Sequence, residues 1–224
     1  MRPLLVALLL VAGSAPRLTA QGDVAARLDR RVPPPVARAV TEIAAGAAAR
    51  GLPVEPLVQK AIEGGAKRVA ADRVIAAVRA LATQLEGAAA ALRASGIEHP
   101  GAGVIEGGAE ALSAGLDAEQ IGELARTSKV PYDPAVTLRV AATLASLGVP
   151  PKQTVDLMEA MMQAGRTPND LLSLPTQVQE GVARGKTPAQ AARGLGRGAE
   201  HAPWAHGSEL PPGQTKTKTN PHKP

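Results

Sequence analysis

Three methionines form a cluster of possible metal ligands in the second half of the chain. Met158, Met161 and Met162 would share one face of a helix, and their soft thioether sulfurs suit Cu(I). Methionine also fills irregular apolar space in ordinary cores, and Val155 extends the same face. We prefer core packing as the interpretation of these four residues. A hydrophobic groove for a partner helix is the functional hypothesis, and copper handling is a weaker one.

Groups suited to acid–base chemistry are few in this sequence. Glu106 and Glu110 are one helical turn apart, and His99 follows Glu98. Hydrolysis would need a nucleophile or a metal beside such groups, and no Gly-x-Ser-x-Gly, His-Glu-x-x-His or acidic calcium loop occurs. Two acids at positions i and i+4 are typical of a solvated helix face. A hydrolytic enzyme with an unidentified site is therefore only the alternative, and we predict no cofactor.

The segment from Gly101 to Gly107 resembles a glycine-rich phosphate-binding loop, with one extra residue in its last spacing. Such a loop needs a strand before it and a helix after it. The preceding residues 98–100, Glu-His-Pro, do not predict a strand. We interpret the segment as a flexible connection followed by the start of a helix that tolerates glycine.

The composition excludes several classes of site. The chain has no cysteine and no phenylalanine, one tyrosine (Tyr132) and one tryptophan (Trp204). Cysteine-ligated zinc, thiol nucleophiles and disulfides are therefore excluded, and stacking platforms for single-stranded nucleic acid lack the rings they need. The formal net charge is +5, but most of the excess lies at the two ends of the chain, which argues against a nucleic-acid partner.

Residues 1–20 have the pattern of an export signal. Arg2 precedes an apolar run from Leu4 to Val11, and Ala20 is a small residue suited to a signal peptidase. We predict cleavage after Ala20. The run is about ten residues long, well short of the ~20 of a membrane-spanning helix, so we expect no span after cleavage. The Ala-, Gly-, Pro- and Arg-rich composition suggests a bacterial genome, and hence a periplasmic or secreted protein.

Apolar residues recur at helical spacing along most of the remaining chain. The longest stripe predicts a helix near residues 70–95, with Val74, Val78, Leu81, Leu85, Ala88 and Leu92 on one face. Shorter stripes predict other helices, including two near 168–174 and 176–184 separated by Pro175. No segment alternates as a strand does. We expect an all-α fold, an irregular array of short Ala-rich helices joined by Gly/Pro turns.

Five glycines predict the turns of this array, namely Gly51, Gly115, Gly148, Gly165 and Gly185. Glycine accepts the left-handed conformation that ends a helix, and a Pro, Thr or Asp two residues later suits the start of the next. The residue between is apolar at Leu52, Leu116 and Val149, where it can pack beneath the turn. Asp117 and Gln120 have the spacing of a capping box. Irregular intervals between the glycines favour efficient helix joining over a true repeat.

Proline and glycine also suggest how the chain is divided. Residues 21–35 form an N-terminal segment with a Pro-rich spacer, because a run of prolines favours extended chain. Residues 36–96 form a first helical lobe and residues 104–196 a second, joined by the linker over 96–103. Residues 197–224 form a basic Pro/Thr/Lys tail with little apolar surface to bury, so we expect disorder there.

The tail holds few groups that suggest a site. Its lysines are Lys216, Lys218 and Lys223, and its histidines are His201, His206 and His222. The lysines would give weak contact with anionic surfaces, and the histidines would bind a metal loosely. A passive solubilising tail is the preferred interpretation. Export, many helices and no convergent polar residues together predict a non-catalytic protein-binding or structural component of the periplasm or envelope, whose partner is another protein there.

Overall fold

A computed structural model describes residues 23–201, and all the regular secondary structure in this range is helical. The helices are α1 (23–28), α2 (Pro34–Ala49), α3 (Glu55–Ala66), α4 (Ala71–Ala94), α5 (Ala102–Ser113), α6 (Ala118–Thr127), α7 (Pro134–Ser146), α8 (Pro151–Gln163), α9 (Pro168–Ala183) and α10 (Pro188–His201). The predicted all-α fold is confirmed. The predicted signal, and the tail beyond His201, lie outside the described residues.

Helix α4 is the long helix predicted near residues 70–95, and it packs against α2, α3, α5 and α6. Its buried face consists of Val74, Val78, Ala82, Leu85, Ala88, Ala89, Ala91 and Leu92. Among residues 23–201, α4 is the helix long and apolar enough to cross a membrane by length and composition. Its contacts with four neighbouring helices bury 39% of its most apolar 18-residue window.

Helix α5 lies between α4 and α7, and two adjacent glycines permit the close approach. A Cβ at Gly107 would lie 2.9 Å from the carbonyl oxygen of Ala135 in α7, and a Cβ at Gly108 would lie 3.0 Å from the Cβ of Ala88 in α4. The glycine-rich segment therefore is the start of a helix, as interpreted, and its later glycines are packing positions. The division into two lobes at 96–103 stays a prediction, and α4 and α5 on either side of it are in contact.

The predicted turns form as expected. All five glycines, together with Gly96, have φ between 64° and 98°. In each turn the N–H of the next residue donates to the carbonyl oxygen five residues earlier, at 2.9–3.1 Å, which satisfies the free end of the helix. Leu52, Leu116 and Val149 are buried beneath their turns. Arg68 takes the same left-handed conformation at the end of α3, with φ 53°.

Capping boxes begin several of the helices. Asp117 accepts from the N–H of Gln120 at 2.9 Å while the Gln120 side chain accepts from the N–H of Asp117 at 3.0 Å, which confirms the predicted box. Thr167 and Asp170 form a second box at the start of α9. Each box satisfies two N–H groups that have no partner within the helix.

Proline breaks the helices less than the sequence predicts. Helix α2 begins at Pro34, so the expected spacer is wrong beyond Pro33, because the first helical turn needs no N–H from proline. Helix α9 continues through Pro175, so the expected pair of helices is one helix. Proline removes a hydrogen bond there, but Leu174 and Val178 are buried on either side, and this burial holds the helix together.

Candidate binding surface beside helix α10

Helix α8 carries the predicted methionine cluster, and most of it is buried. Met158 is 0% exposed, Val155 5% and Met161 6%. Met162 is half-buried, with its sulfur 3.9 Å from the Oγ of Ser128. Core packing, the preferred interpretation, therefore describes Val155 and Met158. Of these four residues, Met161 also lines a surface hollow described below, and the groove for a partner helix stays a hypothesis.

The acids named for the enzyme hypothesis share one arginine. The Nη2 of Arg139 in α7 lies 3.1 Å from the Oε2 of Glu106, and its Nε lies 3.7 Å from the Oε1 of Glu110. His99 is exposed in the α4–α5 connection and has no hydrogen bond to either carboxylate. Within residues 23–201, no group of three or more His, Asp or Glu is arranged to hold a metal ion.

A hollow of about 310 Å³ lies between α3, α4 and α5 and includes both of these acids. Glu55 lies on its rim and accepts two hydrogen bonds from Arg27, each 2.7 Å long, and one from Gln59 at 2.7 Å. The hydrogen bonds from Arg27 and then Gln59 lower the pKa of Glu55 to about 2. The Glu55 carboxylate is thus anionic, and all three carboxylates of the hollow already have an arginine partner within the chain.

Helix α10 packs on α8 and α9 and leaves space on both sides. Helix α10 has glycine at every second position over residues 194–198, namely Gly194, Gly196 and Gly198. A Cβ at Gly194 or Gly198 would meet no heavy atom within 4 Å, and one at Gly196 would meet only Leu157, at 3.9 Å. No neighbour requires these glycines to lack a side chain. Because these glycines have no side chains, a surface hollow lies on each side of α10.

The first of these is the α8–α10 hollow, with a volume of about 230 Å³. It is lined by Gln153, Asp156, Leu157, Ala160, Ala192, Arg193, Gly196 and Arg197. Arg193 and Arg197 lie one turn apart on α10 and are exposed. Neither guanidinium forms an ion pair or hydrogen bond with a side chain that the structure describes. Two cations therefore flank an apolar floor, and neither has a partner among the side chains that the structure describes.

The other polar groups of the α8–α10 hollow differ from the arginines. Asp156 is held by Lys152, whose Nζ lies 2.8 and 3.0 Å from its two carboxylate oxygens. The Oε1 of Gln153 is buried without a hydrogen-bond partner, the one such side-chain atom among the described residues. An unpaired buried acceptor costs about 1–3 kcal/mol, so the Gln153 amide gains free energy by turning towards a donor.

The second hollow, of about 290 Å³, lies between α8, α9 and α10, with Met161 and Leu174 among its lining residues. Its charged groups already have partners. The Nη2 of Arg166 donates to the carbonyl oxygens of Gly198 and Ala199 at 3.3 and 3.5 Å. Asp170 belongs to the capping box of α9. Because these charged groups are already engaged, they are less available to bind a ligand than the arginines of the α8–α10 hollow.

A hydrogen bond from Tyr132 fixes the loop that ends α8. Its hydroxyl donates to the carbonyl oxygen of Arg166 at 2.6 Å. Burial, and then the charge of Asp170, raise the pKa of Tyr132. The phenol thus stays protonated and anchors the residue that itself binds the end of α10.

Sequence reasoning missed Arg193, Arg197 and Gln153 as site residues. The helix near Arg193 was predicted to end by residue 196, and Arg197 was assigned to the tail, whereas α10 continues to His201. The i, i+4 spacing of the two arginines was the available signal. Compared with known proteins, the chain matches no protein-family model, no curated protein and no solved structure.

Proposed function

We propose that this protein is a non-catalytic protein-binding component of the bacterial periplasm or envelope, and that its partner binds at the α8–α10 hollow. The observation that carries the proposal is a pair of exposed arginines beside an apolar floor, with no ion pair to any described side chain. Protein interfaces combine an apolar centre with a polar rim and are enriched in arginine. The export signal predicted for residues 1–20 supports the location.

Several contacts favour binding over catalysis. Glu106 and Glu110 are engaged by Arg139, so both carboxylates already have a partner within the chain. Met158 is fully buried, so copper would have to displace core contacts to reach its sulfur. A hydrolytic site and copper handling therefore remain hypotheses without a contact that favours them.

Site-specific photo-crosslinking in the native cells tests the binding surface. Ala189 lies one turn before Arg193 on the same face of α10, and Ala80 is an exposed alanine on α4. With p-benzoylphenylalanine at position 189, we expect one dominant protein to be captured. The same probe at position 80 should not capture it, and R193Q/R197Q should abolish capture from 189. Equal capture from both positions, or none from 189, would contradict the proposal.

The proposed location has a separate test. Cleavage after Ala20 leaves Gln21 as the first residue of the exported protein. Mass spectrometry of the protein from the periplasmic and medium fractions should find this N-terminus. Recovery of the chain only from the cytoplasm, with residues 1–20 attached, would contradict export.

A further inference from the structure

We infer that the segment which occupies the α8–α10 hollow is an acidic, extended stretch of the partner protein, with carboxylates at alternate positions. The inference depends on the proposed function, because it names the chemistry of the partner at the same hollow. It follows from three features of the hollow: its charge, the spacing of its cations and its unpaired acceptor.

The charge of the hollow favours a carboxylate ligand. Lys152 neutralises Asp156 at 2.8 Å, so Arg193 and Arg197 leave two positive charges at the rim. Guanidinium groups bind carboxylates through two parallel hydrogen bonds, which are stronger than neutral ones. The undescribed C-terminal segment of this chain fits poorly as the occupant, since its lysines, Lys216, Lys218 and Lys223, outnumber its one acid after residue 201, Glu209.

The spacing of the two arginines favours an extended segment. Residues at i and i+4 of a helix have Cβ atoms about 5–6 Å apart. In extended chain the rise is about 3.3 Å per residue, so alternate side chains on one side are about 6.6 Å apart. Two acids at alternate positions of the partner would therefore face Arg193 and Arg197 together. An apolar neighbour can then lie against Leu157 and Ala192 on the floor.

The Oε1 of Gln153, which has no hydrogen-bond partner among the described residues, favours a peptide over a simple anion as the ligand. An extended peptide presents backbone N–H groups beside its carboxylates, and one of these can donate to Gln153 once the amide turns towards the hollow. The phosphate diester of a lipid has no such donor. The three polar residues together thus fit an acidic peptide better than a membrane surface.

Two short peptides provide a direct test on the exported form of the full chain. The probes are the blocked peptides Leu-Glu-Leu-Glu-Leu and Leu-Gln-Leu-Gln-Leu, titrated into isotope-labelled protein and followed by NMR. We expect the Glu peptide to shift the side-chain signals of Gln153, Arg193 and Arg197, and to bind at least about tenfold more tightly than the Gln peptide. Added salt should weaken its binding.

Variants of the protein separate a specific site from general charge. R193Q/R197Q should weaken binding of the Glu peptide at least about tenfold. The control R73Q/R79Q removes the same charge from two exposed arginines of α4 and should leave affinity unchanged. Gln153→Met should weaken peptide binding and raise the midpoint of urea unfolding, because it removes the unpaired buried oxygen. If Gln153 had only a structural role, Gln153→Met would have a higher urea midpoint but an unchanged affinity for the peptide.

Several outcomes would overturn the inference. These are equal binding of the Gln peptide, equal loss in the α4 control, and equal shifts from vesicles of anionic phospholipid at the same salt. Peptide mapping of the partner cross-linked at position 189 distinguishes the two proposals. A captured segment without acidic residues overturns the inference and leaves the proposed function standing, whereas no site-specific capture overturns both.

Discussion

Alanine in place of glycine should change stability in opposite directions in different helices of this protein. In α10, a Cβ at Gly194 or Gly198 would have no heavy atom within 4 Å. In α3, a Cβ at Gly65 would collide with the carbonyl oxygen of Arg31 and would lie 2.9 Å from a methyl of Val32. The α3 contact involves backbone, which cannot move aside as a flexible side chain can.

The expected magnitudes follow from these distances. Alanine is favoured over glycine inside a helix by about 0.5–1 kcal/mol, so each α10 variant should gain about that amount. Overfilling a close contact typically costs about 1–3 kcal/mol. After the helical gain is subtracted, Gly65→Ala should therefore lose up to about 2.5 kcal/mol. Gly46→Ala is the control, since its nearest neighbour is the end of the Arg50 side chain at 3.6 Å.

Urea unfolding followed by far-ultraviolet circular dichroism measures these effects. With a slope of about 2 kcal/mol per molar urea, the α10 variants should raise the midpoint by about 0.25–0.5 M each. Gly46→Ala should show a similar rise, and Gly65→Ala should show a fall. A rise for Gly65→Ala equal to that of the control would refute the close approach of α3 to the α1–α2 connection. A fall for both α10 variants would refute the open space beside that helix.

Three further changes test other features of the fold. Arg68→Gly should raise stability by about 1 kcal/mol, because Arg68 has φ 53°, a conformation that costs other residues more than glycine; a lower urea midpoint would contradict this. Asp117→Ala should lower the free energy of unfolding by about 1 kcal/mol, because it removes the cap of α6. Asp117→Asn should keep most of that stability, since asparagine also caps helices; thermal unfolding measures both. Burial, and then Glu123 and Asp156, raise the pKa of Glu159, so the folded state binds this proton more tightly than the unfolded state and the charged form is destabilising. Glu159→Gln should therefore raise stability at neutral pH, and the gain should vanish below the ordinary glutamate pKa of about 4.3; a gain that persists in acid would show another cause.

Local chemistry explains which parts of the fold the sequence predicts. The glycine turns and the Asp117 capping box depend on residues within one turn of each other, and they form as expected. Proline effects were overestimated at Pro34 and Pro175. The first falls where no N–H is needed, and the second is outweighed by burial of the residues around it. That burial depends on contacts between helices, which local pattern does not contain.

The candidate site was harder to predict because it joins residues distant in sequence. Arg193 and Gln153 belong to different helices, and both line the same hollow. Residues 197–224 have little apolar surface to bury, so the second arginine was assigned to the tail. The methionine cluster was visible in sequence, and its fully buried member, Met158, belongs to the core.

The hydrogen bond of Tyr132 makes this protein convenient for spectroscopy. Tyr132 is the only tyrosine in the chain, and its hydroxyl contacts the carbonyl oxygen of Arg166 at 2.6 Å. The guanidinium of Arg166 in turn contacts the last turns of α10. Biosynthetic incorporation of fluorotyrosine would give a single fluorine resonance without any mutation. That resonance would report on whether α10 keeps its contact with Arg166. This helix lies beside the candidate binding surface.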